Sequence, residues 1–576
     1  MKKNSAKFRI LIVFFLILGA AGCIATRLFS IQILKHGFYQ ALASDQQELL
    51  QKLTPERGEI FIQEKGGIWN SLAVNRDFQT VYLVPSAVED KNEVSSKLAP
   101  ILQMEEEKIL EKLKDSKDPY EPLRSKLDDA TAEKIKNLNL AGVRFVSESW
   151  RWYPQGTLAS HVLGFLGIRD DKKTGQYGLE GFYEEKLAGE NGFLRSKKDA
   201  LGRWLMLSDF SSEPAQDGVD LYLTLDQNVQ YLTEQKMKNV LDKWGASSGC
   251  AIVMDPKTGA VRAMASFPNF NPNEYNKVKS VETFSNSCIQ EIYEPGSVFK
   301  PIVMAAGLDT GKISPQTVFV DEGFVKIGPH IIRNAQEKTY GESTMTRVLE
   351  KSINTGVVFV QRLIGGKIFE DYIKAFGFGE RCEVDLAGEA AGSLRNIDEN
   401  NEVNFATAAF GQGISATPLE MAGAIAAIAN QGKLMRPYLV EKTVSSNGDE
   451  EITQPQITRQ AISAETANKL TGMLVSTVRN GYDKIKIKNY AVAGKTGTAQ
   501  IPDEKTGKYK TDETVHSFIG YAPAYDPKFL IFLKMDSPHG IEFASESLSP
   551  VFSELTQYLL NYYEIPPEVA SSAIRR

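Results

Sequence analysis

The feature that most restricts how this chain can fold is an uncharged apolar run near its N-terminus, ILIVFFLILGAAGCIAT, from Ile10 to Thr26. Basic residues flank the run, with Lys2, Lys3, Lys7 and Arg9 before it and Arg27 after it. Together with the semi-apolar residues 28–34, the run is long enough to cross a bilayer core about 30 Å thick. Because basic flanks favour the cytoplasmic side, we expect a cytoplasmic tail at residues 1–9, a transmembrane anchor at 10–28 and an extracytoplasmic remainder.

Two other interpretations of this run stay open. The run is long for the apolar part of a cleaved signal peptide, and no convincing A-x-A cleavage site precedes a mature start. A lipoprotein is the second alternative, because Ala20-Ala21-Gly22-Cys23 loosely resembles a lipobox, although Ala20 stands where leucine is usual. An uncleaved single-pass anchor is the preferred interpretation.

The composition of the chain is that of a globular protein with more than one domain. Its 576 residues are too many for one ordinary core, and 42% of them are hydrophobic and 24% charged. A net charge of -6 gives no reason to expect nucleic acid as a partner. The four cysteines, Cys23, Cys250, Cys288 and Cys382, have the spacing of neither a metal site nor a disulfide framework, so we expect buried thiols, no metal and no cofactor.

The pattern along the chain predicts two folded regions after the anchor. Residues 29–215 are mixed in pattern and form the first domain, and the turn-rich stretch from Ser211 to Gly218 is a candidate linker. The second region, residues 216–565, opens with the strand-like DLYLTLD, then a helical stretch, a hairpin, a long helical middle and more strands. The last strands are predicted from Tyr490 to Gln500, from Ser517 to Ala522 and from Phe529 to Lys534. This order predicts an α+β domain, with helices inserted between strands of one antiparallel sheet, and residues 566–576 as a C-terminal tail.

The first motif that carries chemistry is Ser297-Val298-Phe299-Lys300. Pro295 and Gly296 precede it and an apolar helical run follows, so Ser297 should lie at the start of a helix, with Lys300 on the same face. A serine hydroxyl is a poor nucleophile unless a base lies within hydrogen-bond reach. A lysine can be that base when desolvation and neighbouring cations lower its pKa.

Two further motifs follow in order. Ser352-Ile353-Asn354 has the S-x-N pattern, and Lys495-Thr496-Gly497-Thr498 lies on a predicted strand. A phosphate-binding loop would also contain Gly-Lys-Thr, but it needs a glycine at the position held here by Asn489. A histidine-based triad is disfavoured because no G-x-S-x-G turn accompanies the five histidines.

The three motifs in this order are the pattern of penicillin-binding proteins and class A β-lactamases. The chain resembles a class B, monofunctional penicillin-binding protein over nearly its whole length. The resemblance includes Arg57-Gly58-Glu59-Ile60, Arg151-Trp152-Tyr153-Pro154, His161 to Phe165, Tyr177 to Gly181, Tyr293 to Ser297, Phe376 to Gly379 and Phe410 to Gly413. After Ile60 the family usually continues with an aspartate and a basic residue, whereas Phe61-Ile62-Gln63 follows here.

The resemblance implies a penicillin-binding, serine β-lactamase-like transpeptidase domain, preceded by an elongated mixed α/β pedestal of the dimerisation type. It also implies catalytic roles for Ser297, Lys300, Ser352, Asn354 and Lys495. The substrate-binding residues would be Thr496, Gly497 and Thr498, and the backbone N–H groups of Ser297 and Thr498 would form the oxyanion hole. Ser297 would attack a stem peptide ending in D-Ala-D-Ala, and Gly497 would let that peptide lie along an edge strand.

The implied partners are peptidoglycan stem peptides, β-lactams, a membrane glycan polymerase of the division and sporulation type, and other division proteins. The Tyr-Glu-Pro-Gly-Ser form and the two Phe-Gly-x-Gly elements resemble the septal branch more than the elongation branch. A non-catalytic scaffold or penicillin sensor, a D,D-carboxypeptidase and an elongation-type transpeptidase are the alternatives. A β-lactamase is disfavoured by the anchor and the pedestal, and the region before residue 215 shows no glycosyltransferase signature.

Overall fold

The structure is a computed structural model. It describes residues 48–568 except 116–118, 170–171, 198–210, 399–400, 486 and 504–507, together with residues 19, 21, 22, 24, 26 and 27. The tail predicted at residues 1–9 lies outside the described residues, as do Cys23 and most of the segments predicted at 10–28 and 566–576. No helix in the described part of the chain is both long and apolar enough to cross a membrane.

The strands are numbered in chain order through the described residues. They are β1 (Glu48–Leu53), β2 (Ile60–Glu64), β3 (Ile68–Leu83), β4 (Glu121–Leu127), β5 (Val143–Trp152), β6 (Phe165–Arg169), β7 (Lys172–Gln176), β8 (Gly192–Lys197), β9 (Ser211–Glu213), β10 (Asp220–Asp226), β11 (Ser248–Met254), β12 (Val261–Phe267), β13 (Val318–Asp321), β14 (Phe324–Ile327), β15 (His330–Arg333), β16 (Gly341–Thr344), β17 (Lys433–Met435), β18 (Val440–Val444), β19 (Glu450–Ile452), β20 (Ile457–Gln460), β21 (Ala493–Pro502), β22 (Tyr509–Ala522) and β23 (Phe529–Asp536).

Helices connect these strands. The α-helices of the described residues are Lys91–Leu102, Glu106–Lys112, Asp129–Lys136, Ser160–Leu163, Gly178–Phe182, Glu184–Ala188, Gln227–Trp244, Ser287–Gln290, Lys300–Asp309, Met345–Glu350, Asn354–Ile364, Gly366–Ala375, Arg395–Asp398, Glu402–Ala408, Pro418–Ala429, Ala464–Gly481, Ala544–Ser547 and Ser549–Tyr562. Short 3-10 helices lie at Pro85–Ala87, Pro272–Lys277, Val281–Phe284, Gly296–Phe299 and Ala335–Glu337.

The chain divides into two compact units. The smaller consists of Met1–Arg57 and Ala188–Gly218, and its described part contains an antiparallel sheet in the order β1-β8-β9. The candidate linker from Ser211 to Gly218 begins with β9, so its first three residues are a paired strand and not a free connection. The larger unit consists of Gly58–Leu187 and Val219–Arg576. The predicted domain limit at residue 215 stays a prediction.

A five-stranded antiparallel sheet forms the centre of the larger unit, in the order β12-β11-β23-β22-β21. Successive side chains of a strand point to opposite faces. On β11, Ala251 and Val253 therefore pack on one face with the helices Gln227–Trp244 and Ser549–Tyr562, whereas Cys250 and Ile252 pack on the other. The expected antiparallel sheet with inserted helices is confirmed.

The helix Gln227–Trp244 illustrates how the sequence sets these elements. The Asp226 carboxylate accepts hydrogen bonds from two backbone N–H groups of the first turn, and Gly245 ends the helix with φ +56. Val229, Met237 and Leu241 recur at helical spacing and are buried against the sheet.

A second sheet joins the predicted pedestal to the predicted catalytic region. Its order is β19-β18-β10-β2-β3-β4, with β5 also paired to β3, and β10 runs parallel to β2. One face of β3, β4 and β5 is covered by the helices Lys91–Leu102, Glu106–Lys112 and Asp129–Lys136. In the same region the Arg151 Nε donates to Glu180 Oε1 over 2.7 Å, and both side chains are almost fully buried. Arg151 thus joins two segments of the predicted pedestal.

The cysteines differ from the expectation. Cys250 on β11 and Cys288 in the helix Ser287–Gln290 form a disulfide, with Cα atoms 5.4 Å apart. The prediction of thiols is therefore wrong for this pair. It failed because the two residues, 38 positions apart, meet only when the short helix packs on the face of the sheet.

Candidate active site

Ser297 lies in the turn that leads into a buried helix. Gly296–Phe299 forms a 3-10 turn, and the apolar helix Lys300–Asp309 follows and is buried on all sides. Gly296 adopts φ +58, which suits glycine, and its N–H donates to the carbonyl oxygen of Gly411 over 3.0 Å. The predicted position of Ser297 at a helix N-terminus is confirmed.

Lys300 is fully buried and its ammonium group is surrounded by oxygen atoms. The Nζ donates to Ser352 O over 2.5 Å, to Asn354 Oδ1 over 2.7 Å and to Ser352 Oγ over 3.1 Å. Burial, and secondly the charge of Lys495, hold the pKa of Lys300 well below its usual value. Ser297 Oγ makes no hydrogen bond to another residue that the structure describes.

The second motif presents three acceptors to this lysine because of its backbone. Ser352 adopts φ +55, a left-handed conformation that is rare for residues other than glycine and that is common at functional sites. Asn354 begins the helix Asn354–Ile364, and its Nδ2 donates to Arg333 O over 3.0 Å. Because the amide nitrogen is bound there, Oδ1 faces Lys300.

A buried carboxylate supports the start of that helix. Asp321 Oδ1 accepts a hydrogen bond from the Thr355 hydroxyl over 2.6 Å, and both of its oxygens lie within hydrogen-bond distance of Asn334 Nδ2. Thr355 directly follows Asn354, so Asp321 fixes the backbone that carries the asparagine. The sequence contained no signal for this role, because Asp321 lies far from any motif.

The third motif lies on β21, which pairs only with β22 among the described residues and so forms an edge of the sheet. Lys495 is buried, and its Nζ donates to Ser352 Oγ over 3.1 Å. The structure thus brings Lys300, Ser352, Asn354 and Lys495 into one hydrogen-bonded group. Ser352 Oγ accepts from both lysines at the same distance.

Gly497 is required by packing. A Cβ at this position would meet Ser517 Oγ at 2.4 Å, Val298 Cγ1 at 3.0 Å and Pro295 O at 3.1 Å. The glycine therefore lets β21 pack against the turn that carries Ser297, a role that the sequence alone did not suggest.

The backbone of β21 directs two groups away from the sheet. The N–H of Thr496 donates to Tyr482 Oη over 3.0 Å, and its carbonyl oxygen accepts from Lys495 Nζ over 3.1 Å. Backbone groups two residues apart in a strand point in the same direction. The N–H of Thr498 is therefore directed away from β22, toward the open edge.

These residues line one cleft with a volume of about 810 Å³. Its walls include all of the motif residues that reach the surface, namely Ser297, Ser352, Asn354, Thr496 and Thr498. Phe410 and Gln412 of the second Phe-Gly-x-Gly element also line it, while Gly411 packs on Gly296. This element is thus both a packing turn and part of the wall.

Two residues that the sequence analysis missed hold these parts together. Glu294 Oε1 accepts from the Gly413 N–H and Oε2 from the Tyr509 hydroxyl, each over 2.9 Å. Burial raises the pKa of Glu294. Tyr482 contacts Lys495 and Thr496 through its hydroxyl. Glu294 is part of the Tyr-Glu-Pro-Gly-Ser element but had no role of its own there, and Tyr482 belongs to no motif, so the sequence did not point to these contacts.

Comparisons with known proteins agree with this geometry. Residues 249–557 match the penicillin binding protein transpeptidase domain, and residues 52–223 match the penicillin-binding protein dimerisation domain. Stage V sporulation protein D of Bacillus subtilis is 34% identical over 551 residues, which cover 94% of this chain and 84% of the relative. Penicillin-binding protein PbpB of Mycolicibacterium smegmatis is 32% identical over 496 residues, which cover 84% of this chain and 76% of the relative.

A solved structure has the same fold. Penicillin binding protein 3 of Mycobacterium tuberculosis, complexed with aztreonam, matches with a TM-score of 0.69 and 26% identity and covers 90% of this chain and 98% of its own. The transpeptidase match alone spans more than half of the 576 residues. The chain therefore belongs to the class B penicillin-binding proteins, the family of peptidoglycan D,D-transpeptidases.

Proposed function

We propose that this chain cross-links peptidoglycan stem peptides through an acyl-enzyme on Ser297. The observation that carries the proposal is the environment of Lys300, which lies three residues after Ser297 in the chain. Its amine is buried against Ser352 and Asn354. A lysine with a lowered pKa can be neutral before the reaction and can accept the serine proton.

The acceptors around Lys300 leave it one lone pair. A neutral amine has two N–H bonds, and Ser352 O and Asn354 Oδ1 can only accept hydrogen bonds, so they take both. In the neutral amine the third position, from which the ammonium donates to Ser352 Oγ, is a lone pair. This lone pair can accept the Ser297 proton, directly or through the Ser352 hydroxyl. As Ser297 Oγ bonds to the carbonyl carbon of the penultimate D-Ala, the C–N bond to the terminal D-Ala breaks. The proton held by Lys300 passes to the departing amine.

The oxyanion of this step would be bound by the backbone N–H groups of Ser297 and Thr498. The direction of the Thr498 N–H toward the open edge of β21 supports this role. A donor of this kind raises the reaction rate by a factor of about 10²–10³. Lys495, Thr496 and Thr498 would bind the terminal carboxylate of the donor peptide, and the edge of β21 would pair with its backbone.

An amine of a neighbouring stem peptide would resolve the acyl-enzyme. It attacks the ester carbonyl and gives a proton to Lys300, and the bond to Ser297 Oγ breaks. The serine then recovers a proton from Lys300. A transpeptidase acts on glycan that a polymerase has made, and residues 30–215 show no glycosyltransferase signature. We propose a membrane polymerase of the division and sporulation type as the partner that makes this glycan, with other division proteins.

β-Lactams would acylate the same serine. The solved Mycobacterium tuberculosis relatives are complexed with aztreonam and with ampicillin, which supports this proposal. The strained cyclic amide of a β-lactam opens on attack, and the opened ring stays attached to the enzyme, so labelling with a penicillin reports on Ser297.

The chain would be held at the outer face of the cytoplasmic membrane by residues 10–28, with residues 29–215 as the pedestal and 216–565 as the transpeptidase domain. The basic residues before Ile10 support this topology. Protease added to intact spheroplasts should digest nearly the whole chain, and protection of the C-terminal region would contradict the topology.

A septal role is the first proposal for its place in the cell, on the resemblance of its motifs to the septal branch. A role in sporulation is the second, and the similarity to stage V sporulation protein D favours it. Depletion followed by microscopy separates the two roles. Loss of a septal enzyme should affect both dividing and sporulating cells, whereas loss of an enzyme of sporulation should affect only the sporulating cells.

The experiment that tests the reaction supplies lipid-linked glycan precursor, a cognate polymerase and the full chain, then digests the product. Mass spectrometry should find dimeric stem peptides, and Ser297→Ala should remove them while polymerisation continues. Mostly trimmed monomers with an active polymerase would make the protein a carboxypeptidase. A polymer that is neither cross-linked nor trimmed would favour the scaffold.

A further inference from the structure

Tyr482 occupies a position between the second and third motifs that no motif describes. It caps the helix Ala464–Gly481, its ring packs edge-on against Phe518 with centroids 5.8 Å apart, and it is almost fully buried. Its hydroxyl reaches β21 at the wall of the cleft.

The hydrogen bonds of this hydroxyl have a fixed direction. Tyr482 Oη accepts from the backbone N–H of Thr496 over 3.0 Å and from Lys495 Nζ over 3.3 Å. Both donors can only donate, so they occupy the acceptor sites of the phenol oxygen. Its single proton is then donated to Thr496 Oγ1, which lies 2.9 Å away.

The direction of that hydrogen bond decides whether the Thr496 hydroxyl acts as a donor or as an acceptor toward the cleft. Since Thr496 Oγ1 accepts from Tyr482, the hydrogen of the threonine hydroxyl must point elsewhere, and Thr496 lines the cleft. The hydroxyl is thus held as a donor beside the Lys495 ammonium. The three N–H groups of Lys495 already donate to Ser352 Oγ, Tyr482 Oη and Thr496 O, so this lysine contributes its positive charge. A hydroxyl donor beside a positive charge favours an anionic ligand over a neutral one.

The same contacts close the edge of β21 at this residue. The N–H of Thr496 is taken by Tyr482, and its carbonyl oxygen by Lys495. A peptide strand that pairs along β21 can therefore use the backbone of Thr498, but it cannot continue past Thr496. A bound donor peptide must end there.

We infer that Tyr482 is a positioning residue that makes the cleft select a chain-terminal carboxylate. It closes the edge of β21 at Thr496 and turns the Thr496 hydroxyl into a donor toward the carboxylate. The inference rests on the proposed function, because the ligand is taken to be the C-terminus of the donor peptide.

The test compares two thioester donors that differ only at the recognised group, an acyl-D-alanyl thioglycolate and its carboxamide. Ser297 attacks the same thioester in both, so the ratio of their kcat/KM values measures selection of the carboxylate. Tyr482→Phe should lower the acid-to-amide ratio about tenfold, the effect of one hydrogen bond to a charged group. In a Thr496→Val background the same change should have little further effect on the ratio.

The matched control is Tyr521→Phe. Tyr521 also pairs its hydroxyl with a threonine, Thr471, over 2.8 Å, but it is fully buried and does not line the cleft. It should leave the ratio unchanged even if it lowers stability. A Tyr482→Phe variant that slows both donors equally, or neither, would overturn the inference.

Failure of the proposed reaction gives a different result. If the wild-type protein turns over neither thioester, the transpeptidase proposal fails, and titration of Ser297→Ala with a D-Ala-D-Ala peptide acid and its amide decides the inference instead. Tighter binding of the acid that is lost in Ser297→Ala/Tyr482→Phe supports it, and equal binding of acid and amide contradicts it.

Discussion

The backbone of Gly411 lies directly against that of Gly296, so that a Cβ on Gly411 would meet the Gly296 carbonyl oxygen at 2.2 Å and its nitrogen at 2.5 Å. Gly296 is the residue before the nucleophile, and its N–H already donates to Gly411 O. The position of Ser297 therefore depends on a glycine more than a hundred residues later in the chain.

Gly411→Ala should slow acylation by a labelled penicillin at least tenfold and lower the melting temperature, because the added methyl displaces the nucleophile turn. Gly311→Ala is the control. Gly311 has a similar φ of +68, but its Cβ would meet nothing within 4 Å, so the variant has the backbone strain without the contact. Equal acylation rates in the two variants would show that the contact with Gly296 does not position Ser297.

The pH dependence of acylation should follow Lys300. Below its pKa the amine is protonated and has no lone pair, so the rate rises with pH through that pKa and levels off above it. Burial and the Lys495 charge lower the pKa of Lys300, so the plateau should begin well below the usual lysine range.

Lys495→Met removes the charge that helps to lower the pKa of Lys300, so the midpoint of the pH profile should move upward. Lys338→Met removes an exposed lysine at the rim of the same cleft and should leave the midpoint in place, because water screens its charge. The measurement is the acylation rate constant from neutral to alkaline pH. A midpoint that does not move in Lys495→Met would contradict the assignment of Lys300 as the base.

Breaking the buried ion pair between Arg151 and Glu180 should destabilise the protein. Arg151→Met leaves a carboxylate uncompensated in the core and should lower the free energy of unfolding by about 3–5 kcal/mol. The double variant Arg151→Met/Glu180→Leu removes both charges and should recover much of the loss. Denaturant unfolding measures this, and a single variant as stable as the wild type would show that the pair is not buried.

The disulfide between Cys250 and Cys288 should resist alkylation without a reductant, whereas Cys382, a free thiol, should react once the protein is unfolded. Closing a loop of 38 residues, the bond should contribute about 2–4 kcal/mol, so Cys288→Ser should lower the melting temperature. Alkylation of Cys250 and Cys288 in unfolded, unreduced protein would instead favour the thiols that the sequence suggested.

The sequence predicted those parts of the fold in which local pattern decides the structure. The alternation in DLYLTLD gave β10 at its observed bounds, Asp220–Asp226, and the turn between Met254 and Ala260 gave the β11–β12 hairpin. The predicted strand from Tyr490 to Gln500 is shifted to Ala493–Pro502, and the predicted strand from Ser517 is longer, because β22 begins at Tyr509. Pairing along the sheet extends these strands, and a local pattern does not contain that pairing.

The candidate site was predictable where residue spacing carries the chemistry. The three motifs placed Lys300, Ser352, Asn354 and Lys495 in one site, and the structure joins them by hydrogen bonds. The left-handed conformation of Ser352 could not be predicted, because it depends on the elements on either side. The contacts of Tyr482 with β21 likewise form only when segments distant in sequence meet. The same is true of the contacts of Glu294 with Gly413 and Tyr509.

The central claim is that Ser297 is the nucleophile, and peptide mapping after reaction with a penicillin tests it most directly. The wild-type chain should acquire one penicilloyl adduct, on the peptide that contains Ser297. Ser297→Ala should acquire none while keeping its melting temperature. An adduct that persists in Ser297→Ala, or that maps to Ser352 or another serine in the wild type, would contradict the account.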